Sequence, residues 1–296
     1  MSDISKSNDA AELELLFPDL LDAIFKKYCA NPFPFKLFTY TDVEAIRILI
    51  DIAEAYWTQH FTDGSFTNFV LCFSEEKDCL SQWRGYADDG RGCCIGFSKD
   101  AIQQFCAATK GVLLFKKVEY VTQIELKNKI DCLADAILDK MQSLRCWIVE
   151  HMTHNDASKE TDEIFEFNFI MILAGLFTES LSLKSRYFSE EQEWRLFLAN
   201  QAYKEPEWVL EKDKKLLGPN KFDETLNFLN NRIDFWWTRD DLIPFCPLQF
   251  DEFSSMPITE ILLGPKNKIR SSDMELFLKK YGYPEIDIQS SAITYR

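Results

Sequence analysis

From Gln123 to Lys184 the chain runs in a largely helical pattern with no strand signal, and strand-like segments lie on both sides of it. That order constrains the fold class. Regular alternation of strand and helix would build a doubly wound parallel sheet, whereas strands gathered in two groups around a helical stretch build an α+β fold with a mixed sheet. The strand candidates before the stretch are Lys36 to Tyr40, Thr67 to Phe73, Cys93 to Phe97 and Val112 to Tyr120. After it come Glu193 to Ala199, Glu207 to Leu210, Ile243 to Leu248 and Ile258 to Leu263, with Ile286 to Ile288 as a short closing strand. We therefore expect one elaborated α+β domain over residues 1–296, carrying a helical insertion at residues 123–184.

Local signals place the helices around this frame. Ala11 to Cys29 reads as a helix, with Pro18 near its start where a missing N–H does no harm. Thr41 and Glu44 form a capping box ahead of Val43, Ile46, Ile50, Ala53 and Trp57, which recur at helical spacing. A second box, Ser272 and Glu275, predicts a last helix that stops near Gly282.

Composition removes several function classes. The formal net charge of −15, from 33 basic and 48 acidic side chains, repels a phosphate backbone, so double-stranded nucleic acid is a poor partner. No apolar run reaches the roughly 18 to 20 residues that span a bilayer, and Met1 to Asn8 lacks the pattern of a signal peptide. A soluble, cytoplasmic protein without a membrane partner is expected. The nine cysteines are scattered and include no C-x-x-C pair, which predicts buried thiols in a reducing compartment and no disulfide framework. His151 and His154, three apart, read as a polar helix end, and no metal site is expected.

Two stretches carry candidate chemistry. Cys72 to Phe97 runs from a strand ending at Ser74, through a short helix bearing Trp83, Arg84 and Tyr86, into a glycine turn and a second strand. Aromatic rings beside an arginine between two strands make a platform for a nicotinamide or adenine ring; the same rings, three apart on one helix face, also suit ordinary core anchors. In Phe188 to Leu198, alternation along a strand puts Glu191, Glu193 and Arg195 on one face, with two carboxylates roughly 7 Å apart. An arginine beside them holds a carboxylate ionised, and such a group stabilises an oxocarbenium-like transition state. The apolar run from Trp194 to Leu198 argues that this strand is embedded and not an exposed edge.

The string C-F-S-x-x-x-D-x-L-S-x-W-R-x-Y, then G-x-G-x-x-I-G-F, then F-x-x-E-x-E-W-R resembles the bacterial family called domain of unknown function family 2971. Leu242 to Phe245, Ile258 to Lys266 and Ser291 to Arg296 continue the likeness, which spans roughly residues 36 to 296. The order of its parts is in turn similar to that of ADP-ribosyltransferases, which carry a His, a Tyr and a Glu on successive elements of a split, mixed sheet. That likeness implies NAD as substrate and assigns roles by position. Thr39 stands in the His place with Tyr40 beside it. Ser74, Trp83, Arg84 and Tyr86 form the nucleotide wall, Tyr86 stacks on nicotinamide, and Arg195 adds a donor. Glu193 or Glu191 binds the ribose and polarises the glycosidic bond.

The departure at Thr39 matters, because a hydroxyl supplies neither a second ring nitrogen nor a charge. The resemblance thus implies an ADP-ribosyltransferase or NAD glycohydrolase acting on a macromolecular target, as a toxin or in phage defence. The alternative is a catalytically degenerate module of the same fold that binds a nucleotide or a partner protein. A third reading is an interaction protein whose insertion docks a partner, with the acidic surface choosing basic ones.

Overall fold

A computed structural model describes residues 1–3, 16–37, 40–62, 69–109, 112–151, 169, 180–198, 232–283 and 286–295. The predicted strand at Glu207 to Leu210, the start of the first predicted helix, His154 and Thr39 lie outside these residues. The fold is α+β.

The principal sheet has six strands, all antiparallel: β1 (Ser2–Asp3), β4 (Phe69–Ser74), β6 (Leu113–Lys117), β9 (Glu193–Leu198), β10 (Asp234–Trp237) and β11 (Leu242–Phe245), in the order β10-β11-β1-β4-β9-β6. A three-stranded sheet places β12 (Ile258–Leu263) between β5 (Cys93–Phe97), antiparallel, and β13 (Asp287–Ser290), parallel. Two small ladders complete the strands. β2 (Lys36–Leu37) pairs with β3 (Tyr40–Thr41), and β7 (Glu119–Val121) pairs in parallel with β8 (Leu183–Ser185).

Alternation explains the principal sheet. Leu71 and Phe73 face the same way as their ladder partners Leu196 and Trp194, and as Phe69 on β4 and Leu113 and Phe115 on β6. This face packs under α4 (Lys99–Ala108) through Ile102 and Phe105 to form one core. A second core lies among α1 (Phe17–Ala30), α2 (Asp42–Thr62) and α5 (Gln123–His151), joined by Leu37, Val121 and Leu183. In α1, Phe17, Leu20, Leu21, Ile24 and Tyr28 fall on one stripe, Pro18 sits in the first turn, and Lys27 complements the last. A third, small core lies under α6 (Ser271–Lys280).

Several local expectations yield to longer-range pairing. Lys36 to Tyr40 is not one strand running into the helix: Lys36 faces Thr41 and Leu37 faces Tyr40 across a ladder. Thr41 is thereby taken from its predicted capping role. The helix starts at Asp42, which stands at φ 47° and accepts the Phe35 N–H on its carboxylate. On α2, Ile46, Ile50 and Ala53 are buried and Val43 is exposed; the Trp57 side chain lies outside the description. Val112 to Tyr120 divides into β6 and β7, because Val118 turns its N–H to the Glu193 carbonyl. A strand, β8, closes the stretch that reads as strand-free. The box at Ser272 and Glu275 does not form; the helix starts one residue earlier, and Arg270 grips Asp273. A box the pattern did miss opens α5, where Thr122 and Glu125 exchange bonds of 2.8 and 3.2 Å. The thiols are also placed differently: Cys29, Cys72, Cys93, Cys132 and Cys146 sit on outward helix and strand positions and are exposed, Cys79, Cys94 and Cys106 are half-buried, and only Cys246 is buried.

The short helix α3 (Leu80–Tyr86) contains Gly85, whose added Cβ would meet nothing within 4 Å. A helix-interior glycine gives up backbone entropy for no contact here, so Gly85→Ala is expected to raise unfolding stability by about 0.5–1 kcal/mol. Chemical denaturation measures it, and a loss of stability would contradict the open space around this position.

Candidate functional site

On the other face of the principal sheet the ladder brings Cys72 opposite Arg195 and Ser74 opposite Glu193. Arg195 is fully buried and Glu193 is 4% exposed. An unpaired charge so placed is severely penalised, and the residues that offset it define the site. Arg195 donates from Nε to Glu193 Oε1 at 2.7 Å, from its terminal nitrogens to Glu193 Oε2 at 3.2 Å and to the Leu181 carbonyl at 2.9 Å. Lys184, on β8, brings a second buried cation. Its Nζ lies 2.7 Å from a Glu191 oxygen and 3.1 Å from Glu193 Oε2, and 5.1 Å from the Phe188 ring centroid.

Two cations thus meet two carboxylates where β7 and β8 cover the sheet. The Glu193 N–H donates to the Tyr120 hydroxyl at 2.8 Å. Burial works to raise the Glu193 pKa, but the bond and charge of Arg195, the Cys72 thiol and Lys184 outweigh it and hold this carboxyl below its usual range. Burial pushes the Tyr120 phenol up, keeping it neutral.

Glu191 stands apart from the strand that alternation assigns to it. It ends a 3₁₀ turn, Arg186–Glu191, and Gln192 follows at φ 43°. That left-handed residue breaks the period of two, so the carboxylates of Glu191 and Glu193 converge on one ammonium instead of lining one strand face. The cluster reaches solvent at Cys72 and Ser74, both exposed; the Ser74 hydroxyl donates to the Glu191 carbonyl at 2.8 Å.

Beyond Ser74 the chain continues through the rest of the Cys72 to Phe97 stretch. Glu75 donates its N–H to the Gln192 carbonyl and accepts the Trp194 indole N–H at 2.7 Å. Trp83, in α3, is buried and its indole donates to Asp78 at 2.7 Å. Asp78 also accepts from the Ser291 hydroxyl at 2.6 Å and the Ala292 N–H at 2.8 Å. Although Asp78 is partly desolvated, these bonds keep its carboxyl below the usual range. Trp83 is therefore an anchor, and Arg84 and Tyr86 point outward, Tyr86 being 68% exposed.

The glycine turn after α3 is locked from the other side. Gly264 and Lys266 donate to the Gly92 and Gly90 carbonyls at 3.0 and 2.8 Å, and the Tyr295 hydroxyl donates to Asp89 at 2.6 Å. Hence three motif pieces far apart in sequence, around Cys72 to Phe97, Ile258 to Lys266 and Ser291 to Tyr295, form one folded unit.

The structure brings Ser74, Glu191, Glu193 and Arg195 together, whereas the Trp83 indole is bound to Asp78. Tyr40 is exposed on β3, beside α2, and no hydrogen bond or ion pair among the described residues joins Tyr40 or Arg84 to the cluster. Sequence reasoning missed Lys184, Tyr120 and Asp78. Only Asp78 had a visible signal, within the D-x-L-S-x-W string. Among the described residues no group of three or more His, Cys, Asp or Glu side chains could hold a metal, and no helix is long and apolar enough to cross a membrane.

No curated protein and no solved structure matches the chain. The pieces at Leu242 to Phe245, Ile258 to Lys266 and Ser291 to Tyr295 lie outside the one family match. That match runs over residues 82–196, from α3 through the buried cluster into β9, and it supports the resemblance to the family described as Protein of unknown function (DUF2971).

Proposed function

We propose that the chain is a nucleotide-binding module with an ADP-ribosyltransferase-like sheet, recognising NAD or a related nucleotide without turning it over. The observation that carries this reading is the occupancy of Glu193. Both of its oxygens accept from Arg195, and Oε2 also meets Lys184, at 4% exposure. A carboxylate that must bind a ribose hydroxyl and follow charge through a transition state needs free lone pairs at the reacting centre. Here they are spent on neighbours. The order of β2 and α2, then β4, α3 and β5, then β9 supports the likeness to the transferases, and outward Arg84 and Tyr86 on an anchored helix offer a cation and a ring to a nucleotide.

The experiment is calorimetric titration of NAD with nicotinamide assayed in the same samples. Saturable binding without nicotinamide release is expected, and Arg84→Ala combined with Tyr86→Ala should weaken binding about tenfold or more, equivalent to at least roughly 1.4 kcal/mol. Absence of binding overturns the proposal.

One observation favours the second reading, transfer or hydrolysis of NAD with a toxin or phage-defence role and a macromolecular acceptor: Glu193 is held ionised, as stabilisation of an oxocarbenium requires. Nicotinamide release that Glu193→Gln abolishes in a folded protein would establish that reading in place of the first.

A further inference from the structure

Helix α6 carries an outer face that the described residues leave uncovered. Within α6, Leu278 and Met274 turn inward to Ile261, Leu263 and Ile288. At about 100° per residue, Leu276 and Lys280 project from the opposite side and Phe277 from the flank, with Tyr281 just past the helix end beside Phe277. Leu276 is 68%, Phe277 54% and Tyr281 60% exposed, and Ile269 just before the helix is also exposed. The Phe277 and Tyr281 rings lie 4.9 Å apart, so they form one ridge. Scattered single apolar residues on a surface are ordinary; a contiguous group of this size on one helix marks a contact site.

The charge around the ridge identifies what covers it. In a chain of net charge −15, the stretch from Lys266 to Tyr281 holds Lys266, Lys268, Arg270, Lys279 and Lys280 against only Asp273 and Glu275. Lys266 is paired with Asp89 and Arg270 with Asp273. Lys268, Lys279 and Lys280 are exposed and make no ion pair among the described residues; Lys280 lies 5.6 Å from the Tyr281 ring centroid. The patch is therefore apolar at its centre and cationic at its rim, the reverse of the molecule as a whole.

We infer that this face of α6 docks an acidic, amphipathic helical segment of a partner protein. Its apolar side covers Leu276, Phe277 and Tyr281, and its carboxylates meet Lys268, Lys279 and Lys280. A single-stranded nucleic acid fits less well, because Leu276 and Ile269 offer bases no ring to stack on and the chain's overall charge repels a long polyanion. One helix face covers less than the roughly 800 Å² per partner of a standard interface, so affinity on the order of 10 μM is expected.

The test uses the full chain and a labelled glutamate–leucine amphipathic helix as probe, read by fluorescence anisotropy. Saturable binding is expected, weakening as salt is raised. It should fall tenfold or more in Leu276→Ser/Phe277→Ser and in Lys279→Glu/Lys280→Glu. These positions are exposed, and an unchanged melting temperature confirms that each variant remains folded. A lysine–leucine peptide that binds equally well, or a variant that holds the acidic peptide as tightly as the wild type, overturns the inference. So does tighter binding of a uridine homopolymer or of phosphatidylserine vesicles.

Discussion

An Arg195→Met variant is expected to lose about 3–5 kcal/mol of unfolding free energy, as breaking a buried ion pair from one side does. The guanidinium is fully buried and supplies both Glu193 oxygens and the Leu181 carbonyl with donors. Methionine fills similar space but donates nothing, so Glu193 keeps Lys184 as its buried cation while a second carboxylate, Glu191, competes for the same ammonium. Against the roughly 5–15 kcal/mol that holds a typical domain together, that loss leaves little or none.

The pH dependence separates this cause from simple loss of packing. Because the folded Glu193 pKa is depressed, its contribution is present above the ordinary carboxylate pKa and is lost as pH falls through the folded value. Without Arg195 the folded pKa rises, so the acid limb of the stability curve should move to higher pH. Urea denaturation across the acid range measures both effects. A loss below about 1 kcal/mol would sink the claim that Arg195 holds the cluster, since that is the size of an ordinary exposed pair.

The second large effect is steric. A Cβ added at Gly264 would lie 2.5 Å from the Gly90 carbonyl oxygen and 2.9 Å from that of Gly92. Both obstacles are backbone, and both belong to a turn already held by Gly90 at φ 82° and by the Asn267 amide at 2.8 and 2.9 Å from the Arg91 and Gly92 carbonyls. Neither side can yield without parting those bonds. Gly264→Ala should therefore cost about 2–3 kcal/mol, at the upper end of overpacking substitutions, measured against the wild type by the same denaturation. A neutral result would mean that the turn and β12 are not interlocked.

Much of the fold is visible in local pattern because much of it is locally determined. β4, β5, β9 and β12 fall within two residues of their predicted bounds, since each is a short β-branched or aromatic run with turn signals at its ends. The embedding of β9 could also be read, from the apolar run that surrounds Arg195. What escaped was decided at a distance. Leu183 to Ser185 is too short to show a period and becomes a strand only by pairing with β7, so Lys184 could not be recognised as the second cation. Thr41 has good capping chemistry, yet its backbone is claimed by Lys36. Glu191 was misplaced for a conformational reason: a non-glycine residue in the left-handed region, Gln192, leaves no mark in hydrophobic periodicity.

The carboxylate of Asp78 gathers partners both near to it and far from it along the chain. Its indole donor is five positions away, while its hydroxyl donor at Ser291 is 213 positions away and the Ala292 N–H 214. Tyr295 reaches Asp89 across 206. On a ribosome, then, the stretch from Asp78 to Gly92 emerges well before Ser291, Ala292 and Tyr295, and waits for the bonds that they complete. Such long loop closures make for slow, late assembly, and the waiting species presents an unpaired β5 edge. A nascent chain stalled before residue 258 would lack β12 altogether and carry that edge in full, which makes arrested translation products of this chain a ready substrate for holding chaperones and quality-control proteases.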